Sequence, residues 1–143
     1  METSGPRDEK APRAAEIIRR VRGYRWVGLY EAGPAEISVI AWNGPSAPTY
    51  PRFPVTSRLN GAAVASGSPV IVQDVTQDPR YLTTLGNTKA EMIVPVRILD
   101  GRVVGTIDVE SDRTQAFTQD DSDFLEACAS ILLPLWSPLR KLC

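Results

Sequence analysis

Glu91, Asp108 and Glu110 are the residues of this chain whose types and spacing invite chemistry. They lie in Lys89–Ser111, KAEMIVPVRILDGRVVGTIDVES, two apolar runs joined by Asp100-Gly101. That pairing favours a β-hairpin with a two-residue turn. With Leu99 facing Arg102, Glu91 stands directly opposite Glu110 and Asp108 is their diagonal neighbour. Like charges opposite one another destabilise a strand pair. Three carboxylates at one end of a buried sheet face would suit a polar or cationic guest. The plainer alternative is a sheet end open to water, where salt screens the repulsion and Arg25, Arg97 or Lys89 neutralises it. A hard metal ion would need more oxygen ligands than these three side chains visibly offer.

The rest of the composition narrows the chemistry. The chain has 143 residues and no histidine, which removes Ser-His and Cys-His catalytic pairs and the commonest metal ligand. Its two cysteines, Cys128 and Cys143, fall in an apolar helical pattern and at the last position, so neither a disulfide framework nor a cysteine-rich metal site is expected. No cofactor is expected. A net charge of −1 gives no global attraction to nucleic acid or an anionic membrane. No apolar run is long enough to span a bilayer. The start, METSGPRDEKAPR, lacks the apolar core of a signal peptide, so a cytoplasmic location is the expectation.

The elements that must position the carboxylates follow from periodicity. Residues 1–12 read as a flexible polar lead, and 13–143 as one domain ending in a helix and an apolar tail. Ala14 to Arg22 predicts a helix with Ala14, Ile17, Ile18 and Val21 on one side, closed by Gly23. Arg25 to Glu31 predicts a strand carrying Trp26, Gly28 and Tyr30 on one face and Val27 and Leu29 on the other. A turn at Ala32-Gly33-Pro34 returns the chain as a second strand, Glu36 to Trp42. The proline-rich segment from Asn43 to Pro54 predicts a loop ending in an edge strand. Ser57 to Ser66 predicts a short helix closed by Gly67, and Val70 to Val72 a brief strand. Gln73 to Lys89 reads mostly as loop, with a helical turn possible from Asp78-Pro79-Arg80. After the hairpin, Thr118 caps a helix whose apolar stripe is Phe124, Leu125, Cys128, Ala129, Ile131 and Leu132, with Asp121 at the capping-box position. Pro134 ends it. Leu133, Leu135, Trp136, Leu139 and Leu142 form the apolar tail. This order predicts an α+β fold: a central antiparallel sheet with the N- and C-terminal helices on one face, and loops and the short helix covering a pocket on the other.

With these elements in place the chain resembles a GAF domain, and within that family the free methionine-(R)-sulfoxide reductases. The resemblance rests on Arg25-Trp26-Val27-Gly28-Leu29-Tyr30, Asn60-Gly61-Ala62-Ala63, Val72-Gln73-Asp74-Val75, Glu91-Met92-Ile93-Val94-Pro95-Val96 and Asp100 through Ser111, and covers about Arg13 to Leu133. It implies a ligand site in which Glu91, Asp108 and Glu110 are the acidic residues and Trp26 and Tyr30 the aromatic wall. It also implies three redox cysteines, and here the chain departs. Those positions hold Tyr50, Asn60 and, close by, Thr84. Only thiolates run that redox cycle, so these side chains cannot.

The reading that follows is a non-catalytic GAF sensory or small-molecule-binding domain for an amino-bearing ligand. Its site would be Glu91, Asp108, Glu110, Trp26 and Tyr30, with Tyr50 and Asn60 at the vacated cysteine positions. The resemblance implies a homodimer through the terminal helices, with the apolar tail contributing. The alternatives are a divergent free methionine-(R)-sulfoxide reductase and a structural dimerisation or interaction domain with a collapsed pocket.

Overall fold

The computed structural model describes residues 4–78 and 87–136. The readings made for Pro79-Arg80, Thr84, Leu139, Leu142 and Cys143 lie outside the described residues. In chain order the elements are α1 (Ser4–Arg22), β1 (Trp26–Ala32), β2 (Glu36–Asn43), β3 (Arg52–Pro54), α2 (Arg58–Ser66), β4 (Val70–Val72), β5 (Ala90–Arg97), β6 (Val103–Ser111) and α3 (Gln119–Ile131). Two single 3-10 turns, Val75–Gln77 and Leu133–Leu135, complete them. The strands form one antiparallel sheet in the order β3-β2-β1-β6-β5-β4. This is the expected α+β arrangement, with α1 and α3 on one face and α2 on the other.

The sheet is buried on both sides, which explains why β5 reads as a nearly unbroken apolar run. One face carries Val27, Leu29, Met92, Val94, Val96, Ile107 and Val109, packed against Ala11, Ala15 and Ile18 of α1 and Leu125 and Ala129 of α3. The opposite face carries Trp26, Tyr30 and Ile37 in one cluster and Ile93 with Leu59 and Ala63 of α2 in another.

Three sequence expectations need correction. The first helix, expected from Ala14, is longer: α1 begins at Ser4 and continues through Pro12. Pro12 removes one backbone bond, but Ala11, Ala14, Ala15 and Ile18 form a buried line that holds the helix to the sheet. That line leaves Ile17 and Val21 more than half exposed, at 52% and 62%. The apolar tail is also partly core. Leu135 and Trp136 are buried, and the Trp136 indole N–H donates to the Tyr30 carbonyl at 2.7 Å.

The third correction concerns the hairpin turn. Gly101 N–H bonds the Ile98 carbonyl at 2.9 Å, and Ile98 N–H bonds the Arg102 carbonyl at 3.0 Å. The loop is therefore Leu99-Asp100-Gly101, three residues long, with Gly101 at φ +93 where glycine is at ease. A bulge then follows: Arg97 pairs with Val103, but Val96 pairs with Gly105, leaving Val104 as the extra residue. The longer turn and the bulge cancel, so the far end of the ladder keeps the register expected from a two-residue turn.

Candidate functional site

Glu91 pairs with Glu110 across β5 and β6, and Asp108 pairs with Ile93 one step along. The β1–β6 register extends these rows, setting Trp26 opposite Glu110, Gly28 opposite Asp108, and Tyr30 opposite Thr106. Directly opposed residues share a face of the sheet. Three adjacent strands thus bring the sequence-predicted carboxylates and aromatics onto one surface. One oxygen from each of Glu91, Asp108 and Glu110 lies within 4.8 Å of the others. All three side chains are essentially inaccessible to water, which rules out the solvent-exposed sheet end allowed by the sequence.

The aromatic members pack closely. Gly28 lies between Trp26 and Tyr30, and a Cβ there would meet the Trp26 ring at 2.4 Å and the Tyr30 ring at 2.8 Å. The Trp26 indole N–H donates to the Ser46 carbonyl at 3.0 Å, which anchors the β2–β3 loop over it. The Tyr30 ring is tilted against Phe53, with centroids 5.8 Å apart.

Helix α2 supplies the roof. Gly61 lets it approach closely, since a Cβ there would come within 2.7 Å of the Val55 carbonyl oxygen. Asn60 is fully buried, and its amide donates to the Thr106 hydroxyl at 3.0 Å while its Oδ1 has no partner among the described residues. Tyr50 is 40% exposed and stands at the rim, its ring centroid 5.8 Å from the Arg58 guanidinium. Asn60 therefore joins the site directly, whereas among the described residues Tyr50 is linked to it through Arg58.

Burial dominates the electrostatics. It pushes the Glu91 carboxyl well above its ordinary range, with the Asp108 and Glu110 charges adding to the effect. Asp108 is also raised by burial, against the pull of Glu91, Arg58 and Asn60. Glu110 is pushed up to about 7 by burial and by Asp108, despite the Thr88 hydroxyl that donates to it. Near neutral pH the cluster therefore keeps protons that exposed carboxyls would have lost. Such a cluster can accept a cation on ionisation, or donate a hydrogen bond while protonated.

Sequence reasoning did not identify Arg58, Thr88 and Thr106. Thr106 could have been found, because it shares a face with Asp108 two residues on. Arg58 gave no signal: its placement depends on a backbone φ of +67, a conformation in which the sequence pattern leads one to expect glycine. Cys128, the free thiol among the described residues, lies on α3 across the sheet from the carboxylates, and burial raises its pKa.

Comparison with known proteins places this geometry. A free methionine-R-sulfoxide reductase of Saccharomyces cerevisiae is 33% identical over 72 residues, covering 50% of this chain and 40% of that protein. Protein YtsP of Bacillus subtilis is 26% identical over 107 residues, covering 75% and 65%. The chain thus spans less than two thirds of the length of these two relatives. Among solved structures, the type II free methionine-R-sulfoxide reductase of Thermoplasma acidophilum superposes with a TM-score of 0.87 at 27% identity, covering 92% of this chain and 93% of that one. The free methionine-R-sulfoxide reductase of Neisseria meningitidis, in complex with its substrate, gives 0.84 at 27% identity, covering 96% and 81%. The GAF domain model matches residues 6–132, nearly the whole chain, and the chain belongs to the GAF domain family.

Proposed function

We propose that this chain is a ligand-binding GAF domain that holds a small amino-bearing molecule and does not reduce it. One observation carries the reading: Glu91 and Asp108 are fully buried beside each other and Asn60, and none of their four carboxylate oxygens has a well-formed hydrogen bond among the described residues. Buried unsatisfied polar groups are costly, and an ammonium donating to them offsets that cost. Trp26 and Tyr30 form the apolar wall beside it. The relatives favour the second reading, a divergent reductase acting on free methionine sulfoxide. Against it stands the chemistry: Tyr50 and Asn60 occupy two of the cysteine positions implied by the resemblance, and neither forms a thiolate.

The two readings separate in one experiment. The protein is incubated with free methionine sulfoxide and a dithiol reductant, and in parallel its thermal unfolding is followed with a panel of amino acids and their oxides. The expected result is a raised melting temperature with no methionine formed, since a ligand bound only by the native state stabilises it. Production of methionine overturns the proposal in favour of the reductase. Neither turnover nor stabilisation favours a structural domain with a collapsed pocket.

A further inference from the structure

Arg58 is 7% exposed, and its Nε and Nη1 have no hydrogen-bond partner among the described residues. A guanidinium normally satisfies its donors when taken from water, because an unpaired buried charge is expensive. This one rests on the Phe53 ring, 4.6 Å from the centroid, with the Tyr50 ring 5.8 Å away. Those contacts support its flat faces and leave Nε and Nη1 without a partner among the described residues. Its charge nevertheless reaches the site, lowering the proton affinity of Glu91, Asp108, Glu110 and Tyr30. The residue is positioned at the first turn of α2 through a φ of +67, which glycine adopts freely and arginine adopts against steric resistance. A strained backbone, a buried side chain and unmet donors converge on one residue beside an acidic cluster.

We propose that Arg58 receives the carboxylate of the ligand, making the site selective for free amino acids that carry both charges. The inference rests on the reading that Glu91, Asp108 and Glu110 take the ammonium, and adds the opposite pole. On that reading one zwitterion, its ammonium at the carboxylates and its carboxylate at Arg58, would satisfy both sets of unpaired groups. An amine without the acid, or an amino acid blocked as its amide, would leave Arg58 unpaired and bind more weakly.

The test measures calorimetric binding of free methionine sulfoxide and of its α-carboxamide at about pH 7, where the amines of both probes are still mostly protonated and the acidic cluster has begun to ionise. The wild-type chain is expected to bind the free acid at least tenfold more tightly than the amide. Arg58→Gly relieves the backbone strain and removes the guanidinium. It is expected to abolish the preference, bringing affinity for the acid down to that measured for the amide with the same variant. Arg58→Gln provides the same comparison if the glycine variant does not fold. Equal binding of both probes by the wild type, or discrimination that survives loss of the guanidinium, overturns the role of Arg58 and leaves the acidic site standing. Failure of the wild type to bind either probe overturns both.

Discussion

Glu91 and Glu110 face each other directly across the β5–β6 ladder, each 1% exposed to solvent. Carboxylates so placed repel, and burial removes the water that would screen them. In the free protein the pair is therefore a local cost retained within a well-packed sheet. Replacing Glu91 with glutamine removes a group that must either repel its neighbours or hold a proton against its ordinary affinity, keeps the shape and adds an amide donor toward Asp108. Glu91→Gln is expected to raise stability at neutral pH by about 1–3 kcal/mol, read as a higher urea midpoint with unchanged slope. A clear loss of stability would show that Glu91 is internally paired. The same variant should bind an ammonium ligand more weakly, so stability and binding move in opposite directions.

The same cluster sets a pH dependence. Glu91, Asp108 and Glu110 all have folded pKa values above those of the unfolded chain, with Glu110 at about 7. Arg58 opposes the shift in all three, and the Thr88 hydroxyl opposes it at Glu110. Between the unfolded and folded values the native state holds more protons than the unfolded state. Stability should then fall as pH rises from about 5 to about 8, by roughly 3 kcal/mol for a shift of the size seen at Glu110. Urea unfolding across that range checks the slope. A profile that rises over the interval would mean that the carboxylates are stabilised in their charged form.

Much of this was legible in the sequence, for physical reasons that differ by residue. The alternation in Lys89–Ser111 fixed which residues share a face, and the pairing of Glu91 with Glu110 survived even though the turn has one more residue than Asp100-Gly101 suggested. It survived because the Val104 bulge absorbs the difference, and packing against both faces penalises any slip. Trp26, Gly28 and Tyr30 were placed correctly by the strand period alone. The start of α1 was not legible, because Ala11, Ala14 and Ala15 give a weak apolar signal in a polar, proline-containing stretch. Their small side chains, however, let that helix lie close to β1 and β2. Arg58 was hidden for another reason: its inward course depends on a left-handed backbone, which propensity does not assign to arginine.

Gly105 and Trp136 make a lock-and-key contact on the helical face of the sheet. A Cβ at position 105 would lie 2.1 Å from the Trp136 Nε1 and 2.3 Å from the Tyr30 carbonyl oxygen, the group that accepts the indole hydrogen bond. The second neighbour is backbone and cannot swing aside. Gly105→Ala is expected to destabilise by about 1–3 kcal/mol through overpacking. Trp136→Ala should cost about 3–5 kcal/mol through the cavity it leaves. If Gly105→Ala unfolds at the wild-type urea concentration, the indole is not seated as described.

Asp121 joins the end of α1 to the start of α3. Its Oδ1 accepts from the Tyr24 hydroxyl at 2.7 Å and from Arg22 at 3.2 Å, while its Oδ2 accepts the Thr118 backbone N–H at 2.9 Å. Burial alone would raise its pKa, but the Tyr24, Thr118 and Arg22 bonds outweigh it and hold the carboxyl below its ordinary value. An aspartate at the capping-box position thus closes its own helix and binds a second one, a role the Thr118–Asp121 spacing only half discloses. Asp121→Ala should lower stability by about 1–3 kcal/mol, combining loss of the cap with an unpaired Tyr24 hydroxyl. Tyr24→Phe should cost about 1 kcal/mol alone and much less in the Asp121→Ala background, because its partner is already gone. Strict additivity of the two in a double-mutant cycle would show that the Tyr24–Asp121 bond does not hold the helices together.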